Sequence, residues 1–569
     1  MLPDPRFALL RASSSTSIRS TSSMADSHHS SAFERLNLQD LAPEILEHIF
    51  VFTGISDASG VAHCAASCRL FRDIIYRNPD KVLWREIHQG LYDDPRQGTY
   101  FMPGSINDVD WQAQVTDRYR VQQICKDSYT TPTDLTPADV ELIPRILLTM
   151  YHEVAPDETA RNIAQLQRAL DSSAFWELYL RYMQSRTYQP SLSPLASSSS
   201  TSVLPNDTVD RIAQLNTLHG WNTPEAERRM ADRAKVRHGG GPDSAAAQSS
   251  RSEYRIIMGQ HRKCVYNAGN FDDWNDWGPF ADDGAVNWPM VDSVASLMQL
   301  NVNEAREHSY AELPALLGWA SSDSWRLAKP PSELGVRGCV GKPLTGLSDD
   351  ELADWADVEG TWRGTYAFMD YQDWVRYNFQ PATVSIESYS EAVGNFMTMH
   401  LCAGRKPNSN PERDDVLSPL PISDLLPTLH FHGVNHYATH QRITSEIRGS
   451  VGLTTDNPPQ VRWTWVVGMA GEDRWRLTGI QIRGRGSKRG IVGIWSAVQR
   501  EQLSPNGPFW YFPGTSAPPV MRAEDTIRQF DQEMDEEVAR MAFVGAPGHG
   551  RDEESEGSES ESDSDMSEE

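Results

Sequence analysis

Four cations, Arg483, Arg485, Lys488 and Arg489, fall within one short Gly-punctuated run, RGRGSKRG, of a chain with a formal net charge of −26. A guanidinium presents a planar fork of donors that matches two oxygens of a phosphate or carboxylate. A positive loop on an acidic protein would therefore draw acidic peptides toward it and hold their oxyanions, with Trp475 adding apolar area. A solvated hairpin turn is the competing reading of the same residues. Trp362, Trp463, Trp465 and Trp475 are candidates for lining a pocket, although aromatics at alternate strand positions more often build a core. His430, His432, His436 and His440 crowd the run LHFHGVNHYATH, and alternation would place His430 and His432 on one strand face. No acid or cysteine completes a ligand set there, so no metal is expected. Cys64 and Cys68 share a helical face without a second pair at ligand spacing, and read as buried apolar side chains.

Catalytic signatures are missing from the sequence. There is no GxSxG elbow, phosphate-binding Walker loop, HExxH pair or dinucleotide GxGxxG between a strand and a helix. The adjacent Asp349 and Asp350 open a helix, where acids suit the helix dipole. No catalytic residue and no cofactor is expected.

The elements that would position these groups change in texture along the chain. Residues 33–90 form the first dense apolar block, with Leu41, Ile45, Leu46, Ile49 and Phe50 at helical spacing after Pro43. A second helix carries Val61, Cys64, Cys68, Phe71, Ile74 and Ile75, and a third carries Val82, Leu83, Trp84 and Ile87 beyond the breaker Asn78-Pro79-Asp80. Residues 91–190 read as a helical connector. Residues 191–251 read as mostly flexible linker with one short helix, from the Ser-rich run at 191–202 and the Gly, Ala and Ser segment at 239–250. From 252 to 520, runs such as EYRIIM, GTWRGTYAFM, ATVSIESYS, NFMTMHLC, QVRWTWVVGM, DRWRLTGIQIRG and GIVGIWSAV predict an antiparallel barrel or sandwich. An amphipathic helix follows at 521–545. The tail 546–569, with ten acids against one arginine from 551 onward, cannot repay its ordering entropy. A leader at 1–32 is also expected to be disordered. The fold class is thus α+β multidomain: three N-terminal helices, a helical connector, a C-terminal antiparallel β barrel or sandwich, and disordered termini.

The block LNLQDLAPEILEHIFVFTGISDASGVAHCAASCRLFRDIIYRNPDKVLWREI resembles the F-box, through Leu41, Glu44, Ile45, Leu46, Ile49, Phe50, Cys68, Leu83 and Trp84 in their family order. Ala42 stands where the family's first proline is usual, with Pro43 one step later, and Phe71 replaces a customary tryptophan. The resemblance implies a Skp-type adaptor as partner, and through it a cullin scaffold, with Leu41, Pro43, Ile45, Leu46 and Ile49 as the contact residues. Further along, GTWRGTYAFMDYQDW, RWTWVV and DRWRLTGIQIRGRGSKRGIVGIW resemble the C-terminal domain of a set of fungal F-box proteins and, more distantly, the barrel of the cyclin D-recognising F-box protein. Those relatives imply a substrate-reading domain, here with Arg483, Arg485, Lys488, Arg489 and Trp475 as substrate contacts. Gly360, Thr361 and Trp362 also match the GxW opening of lipocalin-like barrels.

Composition narrows the remaining classes. The net negative charge argues against nucleic acid as a partner, and no run of about 18 uncharged apolar residues exists to cross a membrane as a helix. Six scattered cysteines fit a reducing compartment, the cytoplasm and/or nucleus. The expected function is that of a non-catalytic substrate-recognition subunit of an SCF-type ubiquitin ligase, binding target proteins. A ligase-independent F-box scaffold and a small-ligand-binding barrel fused to an F-box are the alternatives.

Overall fold

The computed structural model describes residues 38–77, 81–95, 109–128, 131, 133–154, 161–186, 204–219, 229, 231–232, 245–308, 344, 346–380, 384–406, 416–437, 443–469, 471–487, 489–501 and 504–514. The leader, the helix at 521–545, the acidic tail, the Ser-rich run, Cys339, His440 and Lys488 lie outside the described residues.

The N-terminal unit has four helices where three were expected: α1 (Pro43–Ser56), α2 (Ala58–Ser67), α3 (Arg69–Arg77) and α4 (Val82–Leu91). The second expected helix divides at Cys68. Its backbone is extended, and its sulfur accepts a hydrogen bond from the Phe71 amide at 3.5 Å. A thiol thus caps α3 much as a serine would. Asp57 caps α2 through the Ser59 amide at 2.9 Å, and the Ser59 hydroxyl holds its carboxylate below the usual pKa. Leu46, Phe50, Val61, Ile75, Leu83, Trp84 and Ile87 share one core.

The connector follows as α5 (Trp111–Ile124), α6 (Pro137–His152), α7 (Arg161–Leu170), α8 (Ser173–Ser185) and α9 (Asn206–His219). A reciprocal polar clamp joins it to the first unit. Asp93 accepts from the Arg161 and Asn162 amides at 2.6 and 3.3 Å, while Asn162 accepts from the Asp93 amide at 3.2 Å and donates to the Met150 carbonyl at 3.0 Å.

Two long helices come next, α10 (Ala245–Tyr266) and α11 (Trp288–His308), then the short α12 (Asp349–Ala353). Helix α10 corrects two expectations. The Gly, Ala and Ser segment expected as linker already turns helical at Ala245, and EYRIIM is helix, not strand. Tyr254, Ile257, Met258 and Val265 recur at helical spacing against a helical core, which outweighs the local β-branched texture. The described part of ATVSIESYS, from 384 onward, is not a strand either: a 3₁₀ turn occupies Ile386–Ser388. The β region therefore begins at 360, and residues 252–308 belong with the helices.

The strands are β1 (Gly360–Phe368), β2 (Ala392–Val393), β3 (Met397–Ala403), β4 (Leu429–Tyr437), β5 (Ile443–Leu453), β6 (Val461–Met469), β7 (Glu472–Gln481), β8 (Ile491–Ala497) and β9 (Asn506–Pro513), with α13 (Tyr371–Phe379) after β1. Neighbours in sequence pair antiparallel from β3 to β9, and β1 pairs with both β3 and β9. Eight strands close into a barrel, which decides between barrel and sandwich; β2 only extends the end of β1. Large rings fill the interior opposite glycines, as small barrels require. A Cβ at Gly449 would lie 2.5 Å from the Phe431 ring, and one at Gly364 2.5 Å from the Tyr511 ring. On the outer surface, Ile480, Ile482, Val492, Ile494, Trp510 and Phe512 join the core of the helical layer with Val291, Val294 and Met298 of α11. No helix among the described residues is long and apolar enough to cross a membrane.

Candidate functional site

Helix α1 splits the residues expected at the adaptor surface. Its apolar positions fall on two faces, because 3.6 residues per turn carry Leu46 and Phe50 to one side and Ile45 and Phe52 to the other. Leu46 is fully buried in the unit's own core, so it supports α1 from within and is not a contact residue. Leu41 is partly buried against the same core, and Ile49 is half-buried. Pro43 is exposed, Ile45 is 50% exposed and Phe52 is 70% exposed. Ile45, Ile49 and Phe52 recur at four and three residues, the spacing of one helical stripe. Phe52 was missing from the expected set. Its exposure follows from the same periodicity once Leu46 and Phe50 are known to face inward.

The described arginines of the basic run are not solvated. Arg483, Arg485 and Arg489 are 1%, 2% and 2% exposed. Arg483 donates to the Leu218 carbonyl near the C-terminus of α9 at 2.5 Å and lies over the Tyr151 ring. Arg485 donates to the Trp355 carbonyl and to Glu351 at 3.3 Å. The Arg489 carbonyl accepts from the Trp510 indole at 2.9 Å. These guanidiniums fasten the turn to α9 and to the segment around α12. Carbonyl dipoles and a carboxylate take the place of the expected oxyanion. Trp475 stands near the start of β7 and Arg483 just after its end, about 26 Å apart along an extended strand, so the two do not form one site.

The tryptophans divide as well. Trp362, Trp463 and Trp465 are each 1% exposed inside the barrel, with Trp362 and Trp463 edge to face at 5.0 Å. Trp475 is 36% exposed at the opposite rim, edge-on to Trp495 at 5.3 Å. The Trp465 indole nitrogen is buried and has no hydrogen-bond partner among the described residues.

The histidines of β4 lie on the outer wall. His436 Nε2 is 3.1 Å from Nε2 of His400 on β3, whose Nδ1 is 3.2 Å from the Thr361 hydroxyl. Burial, then the neighbouring His436 and Arg363, pull His400 down to about 4. His432 Nδ1 donates to the Gly404 carbonyl at 2.9 Å, and Arg405 lies 3.0 Å from His430. Among the described residues no group of three or more His, Cys, Asp or Glu is placed to hold a metal.

Sequence reasoning also passed over Arg462, Arg476 and Arg500. They stand far apart in the sequence, on β6, on β7 and after β8, yet Arg476 and Arg500 contact the buried carboxylate of Asp276 and Arg462 feels its charge. The only local signal was Arg462 and Arg476 at strand positions flanked by tryptophans.

No protein-family model, no curated protein and no solved structure matches this chain.

Proposed function

We propose that the chain is a non-catalytic substrate-recognition subunit of an SCF-type ubiquitin ligase, with α1 docked on a Skp-type adaptor and the barrel holding target proteins. The observation that carries this reading is the stripe of Ile45, Ile49 and Phe52 on a helix whose opposite face already has its own core. Fully burying an isoleucine or phenylalanine side chain is worth roughly 1.5–3 kcal/mol, so such a stripe supplies enough to seat a partner. The F-box-like order of residues from Leu41 to Trp84 supplies the class of that partner. The Asp93–Asn162 clamp would keep the docked unit in fixed relation to the connector, and so to the barrel. A receptor of this kind contributes geometry and no chemistry, raising the effective concentration of target lysines near the ubiquitin-carrying enzyme. Its place of action would be the cytoplasm, the nucleus or both.

The test is capture of purified Skp-type adaptor by the full chain and by an Ile45→Glu/Phe52→Glu form. Burying a charge without a partner costs several kcal/mol, so the expected loss is about 100-fold or more in affinity at unchanged far-ultraviolet circular dichroism. Failure of the native chain to bind, or equal binding by the folded double substitution, would remove the F-box reading.

A small-ligand-binding barrel is the second reading, favoured by the buried Trp465 indole nitrogen inside the barrel, which has no hydrogen-bond partner among the described residues. Organic extraction of purified protein followed by mass spectrometry would return a stoichiometric small molecule under that reading and none under the first.

A further inference from the structure

Asp276 is fully buried on the outer wall of the barrel. Arg476 Nη2 reaches its two carboxylate oxygens at 3.2 and 3.3 Å and the Leu417 carbonyl at 2.9 Å. Arg500 Nη2 lies 2.8 Å from both the Asp276 carboxylate and its carbonyl. Arg462, 3% exposed, donates to the Leu420 carbonyl at 3.3 Å and packs over the Phe280 ring. Asp276 and Arg476 act on Arg462, and Asp276 and Arg500 act on Arg476. Two guanidiniums thus contact one carboxylate and a third, Arg462, feels its charge, and no other acid contacts any of the three among the described residues, which leaves a surplus of two positive charges.

The surplus has free donors as well. Arg462 Nη1, Arg476 Nε and Arg500 Nε are buried without a hydrogen-bond partner among the described residues. A buried unpaired N–H forfeits its hydration with no return, and a guanidinium forfeits more than a neutral donor. Burial, with Arg476 close by, accordingly lowers Arg462 to about 10. The side chains of Arg476 and Arg500 are each 15% exposed, so the cluster touches solvent at one side. Around it Asp276, Trp277 and Arg500 all hold left-handed backbone, with φ of 53°, 53° and 50°. Non-glycine residues in that region are strained, and such strain persists where the surrounding structure enforces it. Two apolar side chains belong to the same segments: Trp274, 75% exposed, precedes Asp276, and Leu417, 48% exposed, offers the carbonyl that Arg476 holds.

We propose that Arg462, Arg476 and Arg500 form a receptor for a phosphate-class oxyanion carried on a bound protein segment, with Trp274 and Leu417 gripping apolar residues beside it. A dianion would match the surplus of two charges, and guanidinium forks are suited to its oxygens. The inference rests on the substrate-receptor reading and names the chemistry that the receptor takes, at a place other than the buried arginines Arg483, Arg485 and Arg489.

The experiment titrates inorganic phosphate into the full chain at ionic strength held constant with chloride, reading tryptophan fluorescence and the thermal midpoint. Saturation below about 20 mM is expected, a weak single-ion affinity of a few kcal/mol. An Arg476→Gln/Arg500→Gln form should lose at least about tenfold in affinity, while Arg376→Gln, at an exposed arginine on α13, should lose nothing. Should the double form fail to fold, Asp276→Asn decides, because removing the competing carboxylate raises the surplus charge and should tighten phosphate about tenfold. On immobilised chain, a phosphoserine peptide library should be retained over its unphosphorylated counterpart. Absence of saturation in the native chain, an undiminished response in the folded double form, or unchanged affinity in Asp276→Asn would each overturn the proposal. Adaptor capture by the same preparation separates the two readings: a chain that binds adaptor and ignores phosphate loses the oxyanion receptor alone.

Discussion

Single residues in this protein take their roles from whichever long-range neighbour reaches them. Arg483 is the clearest case: the sequence shows a basic turn, and the structure shows a guanidinium sealed under the Leu218 carbonyl, 265 positions earlier in the chain. Nothing in the run RGRGSKRG announces that covering helix. His88 poses the same problem with a measurable consequence. It is fully buried between the rings of Tyr92 and Trp111, 5.3 and 5.1 Å away, and neither ring nitrogen has a hydrogen-bond partner among the described residues. Burial, with Arg118 nearby, lowers it from 6.5 to about 3, and Asp94 opposes only weakly. A base depressed on folding binds its proton more readily in the unfolded chain. Its contribution to stability is therefore complete above pH 6.5 and is lost as pH falls toward about 3. His88→Phe should remove that part of the acid sensitivity. Urea melts at about pH 7 and about pH 4.5 should show the native chain losing on the order of 2 kcal/mol more than His88→Phe between the two conditions. Equal losses would mean that His88 does not titrate across folding.

At the scale of elements, periodicity made much of the molecule readable. Runs of this texture, QRITSEIRGSVGL for β5 among them, marked six of the eight barrel strands, and β4 was visible through its histidines. Strand β9, Asn506–Pro513, escaped notice because Asn506, Gly507 and Pro508 open it and Pro513 ends it, residues that read as a turn. Helix α10 failed for the converse reason, since Tyr254, Ile256 and Ile257 within six residues look like a strand until the window is long enough to show the spacing of three and four. The candidate sites were less legible than the elements, because a site depends on which face a residue takes and on what lies over it. Helix α10 also carries a joint that no local pattern discloses. Arg262 grips Glu391 ahead of β2 through two bonds of 2.8 and 3.1 Å, with side chains only 6% and 1% exposed. Breaking a buried pair from one side strands the other charge, at about 3–5 kcal/mol, whereas replacing both partners with apolar groups can be close to neutral. Glu391→Gln should therefore lower stability by about 3 kcal/mol, and Arg262→Met/Glu391→Leu by much less. Chemical denaturation of the two forms compares them directly; equal losses would show that the bonds, not the stranded charge, dominate.

For the whole molecule, the sequence suggested a β barrel or sandwich as a unit beside a helical connector, and the packing argues for one cooperative body. The barrel has an inner core of rings, but its outer wall offers Ile480, Ile482, Val492, Ile494, Trp510 and Phe512 to a core that runs back to Tyr92 on the first unit's border. The turn arginines add fixed links in the same direction, Arg483 to α9 and Arg485 to the segment before β1. At roughly 1.5–3 kcal/mol for each large apolar side chain buried, those six contribute on the order of 10 kcal/mol, as much as the net stability of a typical domain. Cutting the chain at the start of the β region would return that surface to water and leave an apolar patch of the kind that associates. Residues 344–514 expressed alone should aggregate or bind a hydrophobic dye strongly, whereas residues 91–514, which retain α5 to α11, should stay monodisperse and melt in a single transition. A monodisperse 344–514 fragment with the melting midpoint of the longer one would make the barrel an independent domain, and the helical layer a passenger on it.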